Sequence, residues 1–260
     1  MMPAPNKSEG KFSLLGVFVS LVQIPEVIQR MEAWINERSG CHFIAVTGMH
    51  GIVEAQRDPA FKSVLNSADL AVPDGMPLVW LARWRGHSLR RRVYGPELME
   101  SFCEQTAFRG YRHFLYGGKP GVADRLADTL QVKYPGMMIA GLLSPPFHTL
   151  LADEDDKIIS MINDSKSDVV WVGLSTPKQE RWMFEHRDRM KAAVLVGIGA
   201  AFDFHTGLKR QAPRWMRERG FEWLFRLLTE PRRLWRRYLV YGSQFVYWVA
   251  LEQLGLRKWE

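Results

Sequence analysis

The chain has 260 residues, a formal net charge of +7 and two cysteines, with 47% hydrophobic and 24% charged residues. That size and balance suit one large α/β domain, or a domain with an appendage. Cys41 and Cys103 lack metal-ligand spacing and imply no disulfide framework, which suits a reducing compartment, and no apolar run approaches the roughly 20 residues that span a bilayer.

Lys11 to Val22 is predicted as a buried first strand. Its core imitates a signal peptide, but Glu9 stands beside Lys7 and Lys11, and no small-x-small cleavage site follows. Pro25 to Arg38 is predicted as a helix, with proline near its start and Gly40 after its end. His42 to Thr47 is a second strand, Thr47 to Gly51 a glycine-flanked turn, and a helix follows to about Leu65. The apolar run ending at Pro73 then meets Asp74-Gly75. Proline stops regular pairing and glycine permits a tight exit, so Asp74 falls where a strand leaves the sheet and a helix begins. Ligands bind at that end of open parallel sheets. A helix-capping role for Asp74 is the alternative.

Met76 to Trp84 and Pro96 to Phe108 read as helices. Tyr111 to Tyr116 is a strand, Val122 to Lys133 a helix, Met138 to Leu143 a strand and Asp153 to Ser165 a helix. Asp168 to Leu174 is a strand, Ser175 to Lys191 a helix capped by Ser175 or Thr176, and Ala193 to Gly199 a strand buried on both faces. This alternation predicts an α/β fold: a doubly wound, mostly parallel sheet with helices on both faces. The domain boundary is expected near residue 206. Residues 207–260 carry 12 basic and 5 acidic residues, the whole net excess, while the remainder balances at 23 of each.

Three further loops leave strands at the same expected end. Gly117-Gly118-Lys119-Pro120-Gly121 could cradle a phosphate with its backbone amides, or be a plain glycine turn. Gln179 falls in a first helical turn, where its amide could serve a sugar hydroxyl or phosphate oxygen, or merely be solvated. Asp203, between Phe202 and Phe204, must find donors from a ligand or from the backbone. His205 reads as a structural or surface histidine, not a catalyst.

The ordered motifs resemble the WecG/TagA/CpsF family of bacterial glycosyltransferases from about Leu14 to Tyr238. The carriers are Ala68-Asp69-Leu70 with Pro73-Asp74-Gly75, Arg92-Val93-Tyr94-Gly95, Gly173 to Glu180, and Gly199 to Asp203. Ala212 to Trp215, Glu222 to Leu227, Glu230 to Arg233, and Arg237-Tyr238 complete the set. The resemblance implies an inverting transfer from a UDP-sugar to a polyprenyl-diphosphate-linked sugar, in building cell-surface polysaccharide. It implies Asp74 as the base, with Thr47 and Gln179 near it, Arg92 in the donor site, and Asp203 placed to read the uracil edge. It implies that Arg214, Arg226, Arg232 and Arg237 steady the leaving diphosphate in place of a metal. No cofactor is expected, the UDP-sugar being a substrate. Thr47-Gly48-Met49 and Gly95-Pro96-Glu97 depart from the family's usual Thr-x-Asn and Gly-Ser/Thr-Asp, which opens the donor to glucosyl and other hexosyl groups besides N-acetylmannosaminyl.

From Tyr238 to Leu251 the tail runs fourteen residues without charge beside an arginine cluster. That pattern suits a helix lying in an anionic membrane interface, or one packed on the main domain. The expectation is a peripheral protein on the inner face of the plasma membrane, with homo-oligomerisation open. The basic tail alone would also suit nucleic acid, but no nucleic-acid-binding motif accompanies it and none is expected as a partner. A catalytically dead membrane scaffold is the remaining alternative.

Overall fold

The structure, a computed structural model, describes residues 10–146, 148 and 151–259. Lys7 and Glu9, used in reading the amino-terminal segment, lie outside them. In chain order the first elements are β1 (Lys11–Leu14), β2 (Val17–Ser20), α1 (Ile24–Glu37), β3 (His42–Thr47), α2 (Met49–Arg57), α3 (Pro59–Asn66), β4 (Leu70–Pro73), α4 (Met76–Trp84) and α5 (Gly95–Thr106). There follow β5 (Arg112–Gly117), α6 (Val122–Lys133), β6 (Met138–Leu143), α7 (Ala152–Asp164), β7 (Val169–Gly173), α8 (Lys178–His186), β8 (Val194–Gly197) and α9 (Ala201–His205). The tail holds α10 (Arg214–Glu218), α11 (Glu222–Thr229), α12 (Pro231–Trp235), a π-helical turn (Arg236–Val240) and α13 (Tyr241–Gln253).

Six strands form one parallel sheet in the order β4-β3-β8-β7-β5-β6. Successive residues of a strand point to opposite faces, so each strand supplies two cores. Phe43, Ala45, Ala71, Val170, Val172 and Leu195 pack with α2, α3, α4, α7 and α8. Ile44, Val46, Leu70, Val72, Val194 and Val196 pack with α1, α5 and α6 on the other face. This is the expected doubly wound arrangement.

Three expectations need correction. The first predicted strand is a hairpin outside the main sheet, in which β1 pairs β2 antiparallel. Leu15 and Gly16, at φ of 52° and 74°, make the two-residue turn whose twist suits a hairpin. The helix expected to run to Leu65 is broken at Asp58, which caps α3 by accepting from the Phe61 amide, with Pro59 in the first turn. The helix expected with Ser175 or Thr176 as its cap begins at Lys178 after Pro177, and no side chain among the described residues caps it; Ser175, at a φ of 68°, lies two residues further back in the preceding turn.

Candidate active site

Asp74 leaves β4 at the sheet edge, and the backbone fixes it from both sides. Its amide donates to the Thr47 carbonyl at 2.8 Å, and the Val93 amide donates to the Pro73 carbonyl at 2.8 Å. Gly48 allows this close approach, since a Cβ there would lie 2.4 Å from the Asp74 carbonyl oxygen. Gly75, at a φ of 117°, turns the chain into α4.

The half-buried Asp74 opens into a cavity of about 100 Å³ lined by Arg92, Glu222, Arg226, Arg237, His50 and Tyr238, among others. The sheet and the tail therefore build one site. Arg92 Nη1 lies 3.9 Å from Asp74 Oδ1, and its Nη2 donates to Glu222 Oε2. Arg226 Nη1 is 4.0 Å from Glu222 Oε1. The Arg92 guanidinium stacks 4.2 Å over the Tyr94 ring, and that of Arg226 lies 5.3 Å over Phe204. Three arginines face two carboxylates, leaving positive charge for an anion.

The electrostatics hold the Asp74 carboxyl above the ordinary carboxylate range. Burial pushes its pKa up to about 6. Arg92 opposes most, Glu222 adds to the rise, and Arg237 and Arg226 oppose it. Burial lowers the Arg237 pKa, and Arg226 adds to that. Burial also pulls Arg92 down, but Glu222 and then Asp74 outweigh it, so its net shift is upward. His50 is lowered to about 3 by burial, then by Arg237 and Arg57, so it is neutral here. His50 Nδ1, Tyr94 OH and Arg226 Nε are buried without a hydrogen-bond partner among the described residues. Such groups ordinarily find one, so this region suits a polar ligand.

Of the expected site residues, Asp74, Arg92, Arg226 and Arg237 converge on this cavity. Thr47 adjoins Asp74 through the backbone, but its buried hydroxyl faces inward: a Cβ on Gly51 would meet Thr47 Oγ1 at 2.3 Å. Gln179 is buried, accepts from the Gly199 amide at 3.0 Å and donates to Glu180 Oε1 at 3.1 Å. It clamps the turn after β8. Asp203 pairs with Lys209 at 2.5 Å. The Gly118 amide donates to the Gly173 carbonyl, and Gly117 and Gly121 shape the same turn after β5. That turn is four strands from β4, roughly 19 Å at the usual strand spacing. Arg214 is exposed and pairs with Glu218 at 2.8 Å, and Arg232 is exposed on α12; neither lines the cavity. His205 is structural as expected, its Nε2 3.0 Å from the Pro96 carbonyl oxygen.

Sequence reasoning did not single out Glu222 or His50. Glu222 reads as an ordinary first-turn acid; its one signal is the motif around it. A second cavity, of about 460 Å³, lies at the opposite end of the sheet beside Asp168 and Arg112, remote from this chemistry.

The model of the glycosyl transferase WecG/TagA/CpsF family matches residues 12–259. A Bacillus spizizenii (strain W23) N-acetylglucosaminyldiphosphoundecaprenol N-acetyl-beta-D-mannosaminyltransferase is 30% identical over 206 residues, covering 79% of this chain and 77% of the relative. A Staphylococcus aureus (strain NCTC 8325) protein of the same description is 26% identical over 254 residues, covering 97% of each chain. With a match that spans sheet and tail alike, the chain belongs to the WecG/TagA/CpsF family of glycosyltransferases.

Proposed function

We propose that this glycosyltransferase moves a hexosyl or N-acetylhexosaminyl group, with inversion, from a UDP-sugar to a polyprenyl-diphosphate-linked sugar. The observation that carries the reading is one half-buried carboxylate, with a pKa near 6, sharing a cavity with Arg92, Arg226 and Arg237. Asp74 takes the proton from the acceptor hydroxyl. The freed oxygen attacks the anomeric carbon, the bond from that carbon to the diphosphate oxygen breaks, and UDP departs with the electron pair. Arg226 and Arg237, from the tail, and Arg92, from the core, neutralise the charge that develops there.

The names of the relatives support the lipid-linked acceptor. Met49 and Glu97 depart from the usual residues of the family, which opens the donor site to hexosyl as well as N-acetylhexosaminyl groups. Thr47 acts here by holding Asp74 through its backbone carbonyl, and Gln179 by holding the turn after β8. The enzyme works at the inner face of the plasma membrane, held there by its tail. Among the described residues no helix is long and apolar enough to cross a membrane.

Two measurements test this. UDP should raise the melting temperature of the intact protein. Asp74→Asn should fold normally, keep that response, and lose transfer from a panel of UDP-sugars to a lipid-linked acceptor. Full transfer by this variant would remove Asp74 from the mechanism.

A further inference from the structure

The helix that follows Asp74 has an outer face that the site chemistry does not use. Leu78, Val79 and Ala82 of α4 point into the core. Met76, Trp80 and Trp84 fall four residues apart and share another face. Trp80 is 49% exposed and Trp84 68% exposed, a large aromatic area to leave in water. The stripe begins at the cavity, because Met76 is part of its lining. It extends about 12 Å to Trp84 at the helical rise.

The tail supplies a second wall. Gly220 sits against this stripe: a Cβ there would meet Trp80 Cη2 at 2.9 Å and Met76 Cβ at 3.1 Å. Phe221 and Trp223, which follow it, are 45% and 41% exposed, and Trp223 also lines the cavity. The neighbouring Arg83 does not shield the stripe, because its guanidinium donates back to the Leu89 and Arg90 carbonyls. Arg219, beside Gly220, is exposed. Reading outward from Asp74, the surface is thus cationic and polar, then aromatic. That order matches an amphiphile whose sugar and phosphates sit inside and whose hydrocarbon runs out.

We propose that Met76, Trp80 and Trp84 of α4, with Phe221 and Trp223 of the tail, form a track for the prenyl chain of the acceptor. This rests on the acceptor class proposed above. Hydrocarbon laid on the track leaves water, and binding tightens with each apolar contact. The enzyme then reads the length of the chain as well as the sugar at its end.

The test compares two acceptors that carry the same sugar diphosphate, one on an undecaprenyl chain and one on an ethyl group too short to reach Trp80, in one detergent. The intact enzyme should show a KM for the long-chain acceptor about tenfold below that for the short one, a difference worth about 1.4 kcal/mol. Trp84→Glu, and separately the double variant Trp80→Ala with Trp84→Ala, should raise the long-chain KM to the short-chain value. The donor KM, kcat, melting temperature and binding to empty anionic vesicles should hold. Equal KM values for the two chains in the intact enzyme would overturn the track alone. So would a variant that loses both acceptors equally, or one that loses vesicle binding in step with the long chain, since that face would then dock the bilayer. Absence of transfer to either acceptor by the intact enzyme would overturn the acceptor class, and the track with it.

Discussion

Asp74 is pulled in two directions, and the balance sets when it can work. Burial favours its neutral form and Arg92 its charged form, with the carboxyl settling at about 6. A base must be ionised to accept a proton, so transfer should fall as pH drops through about 6 and level off above it; a kcat profile across that range checks this. Glu222 is one of the groups that raise Asp74. Glu222→Gln should therefore move the acid limb to lower pH, while an unchanged limb would remove Glu222 from the electrostatics. Asp74→Asn should lower kcat by roughly 10²–10⁴-fold, the usual worth of a positioned base. Most of this centre was legible from residue type and place: a carboxylate after Pro73, arginines in a basic tail. The sorting of the arginines was not. Arg226 and Arg237 line the cavity while Arg214 and Arg232 stay exposed, and only the path of a folded tail decides that.

At the scale of elements, the strands of the main sheet were readable because both faces are covered, which forces continuous apolar runs such as Val194–Gly197. The hairpin was hidden because Leu15 adopts positive φ without being glycine or asparagine. The turns were readable as turns, but their tightness was not. A Gly48→Ala side chain would strike the Asp74 carbonyl oxygen, so that variant should lose about 1–3 kcal/mol of stability, measured by denaturant unfolding, together with activity. The aromatic tail offered two readings, membrane or core, and α13 serves the core with one face. Gly242, Phe245 and Val249 are buried in the same cluster as Ile52 and Val53 of α2, or beside it, while Val246 and Tyr247 face out. Phe245→Ala should cost about 3–5 kcal/mol, whereas Tyr247→Ala should be nearly neutral to unfolding.

The molecule as a whole has an asymmetric charge, with the entire +7 excess in residues 207–260. Those residues are fastened to the core. Arg85 pairs with Glu252, the Leu15 amide donates to Glu252 Oε1 at 2.9 Å, and Arg57 donates to Gln244 at 2.5 Å. Deleting them would uncover the apolar surface beneath Phe245, so truncation would confound folding with membrane binding. Charge reversal on the outer surface separates the two. Arg232 and Arg233 are exposed, as are Trp235, Arg236 and Leu239 around them. Basic residues near an anionic leaflet contribute about 1 kcal/mol each, and salt screens them over about 8 Å at physiological strength. The intact protein should therefore sediment with phosphatidylglycerol vesicles at low salt, much less with phosphatidylcholine vesicles, and progressively less as salt rises. Arg232→Glu with Arg236→Glu should weaken that binding by tenfold or more at unchanged melting temperature, since neither side chain is buried. Undiminished sedimentation of the double variant would move the membrane face away from α12. The exposed aromatics of α4 and α11 would then be the surface to test next.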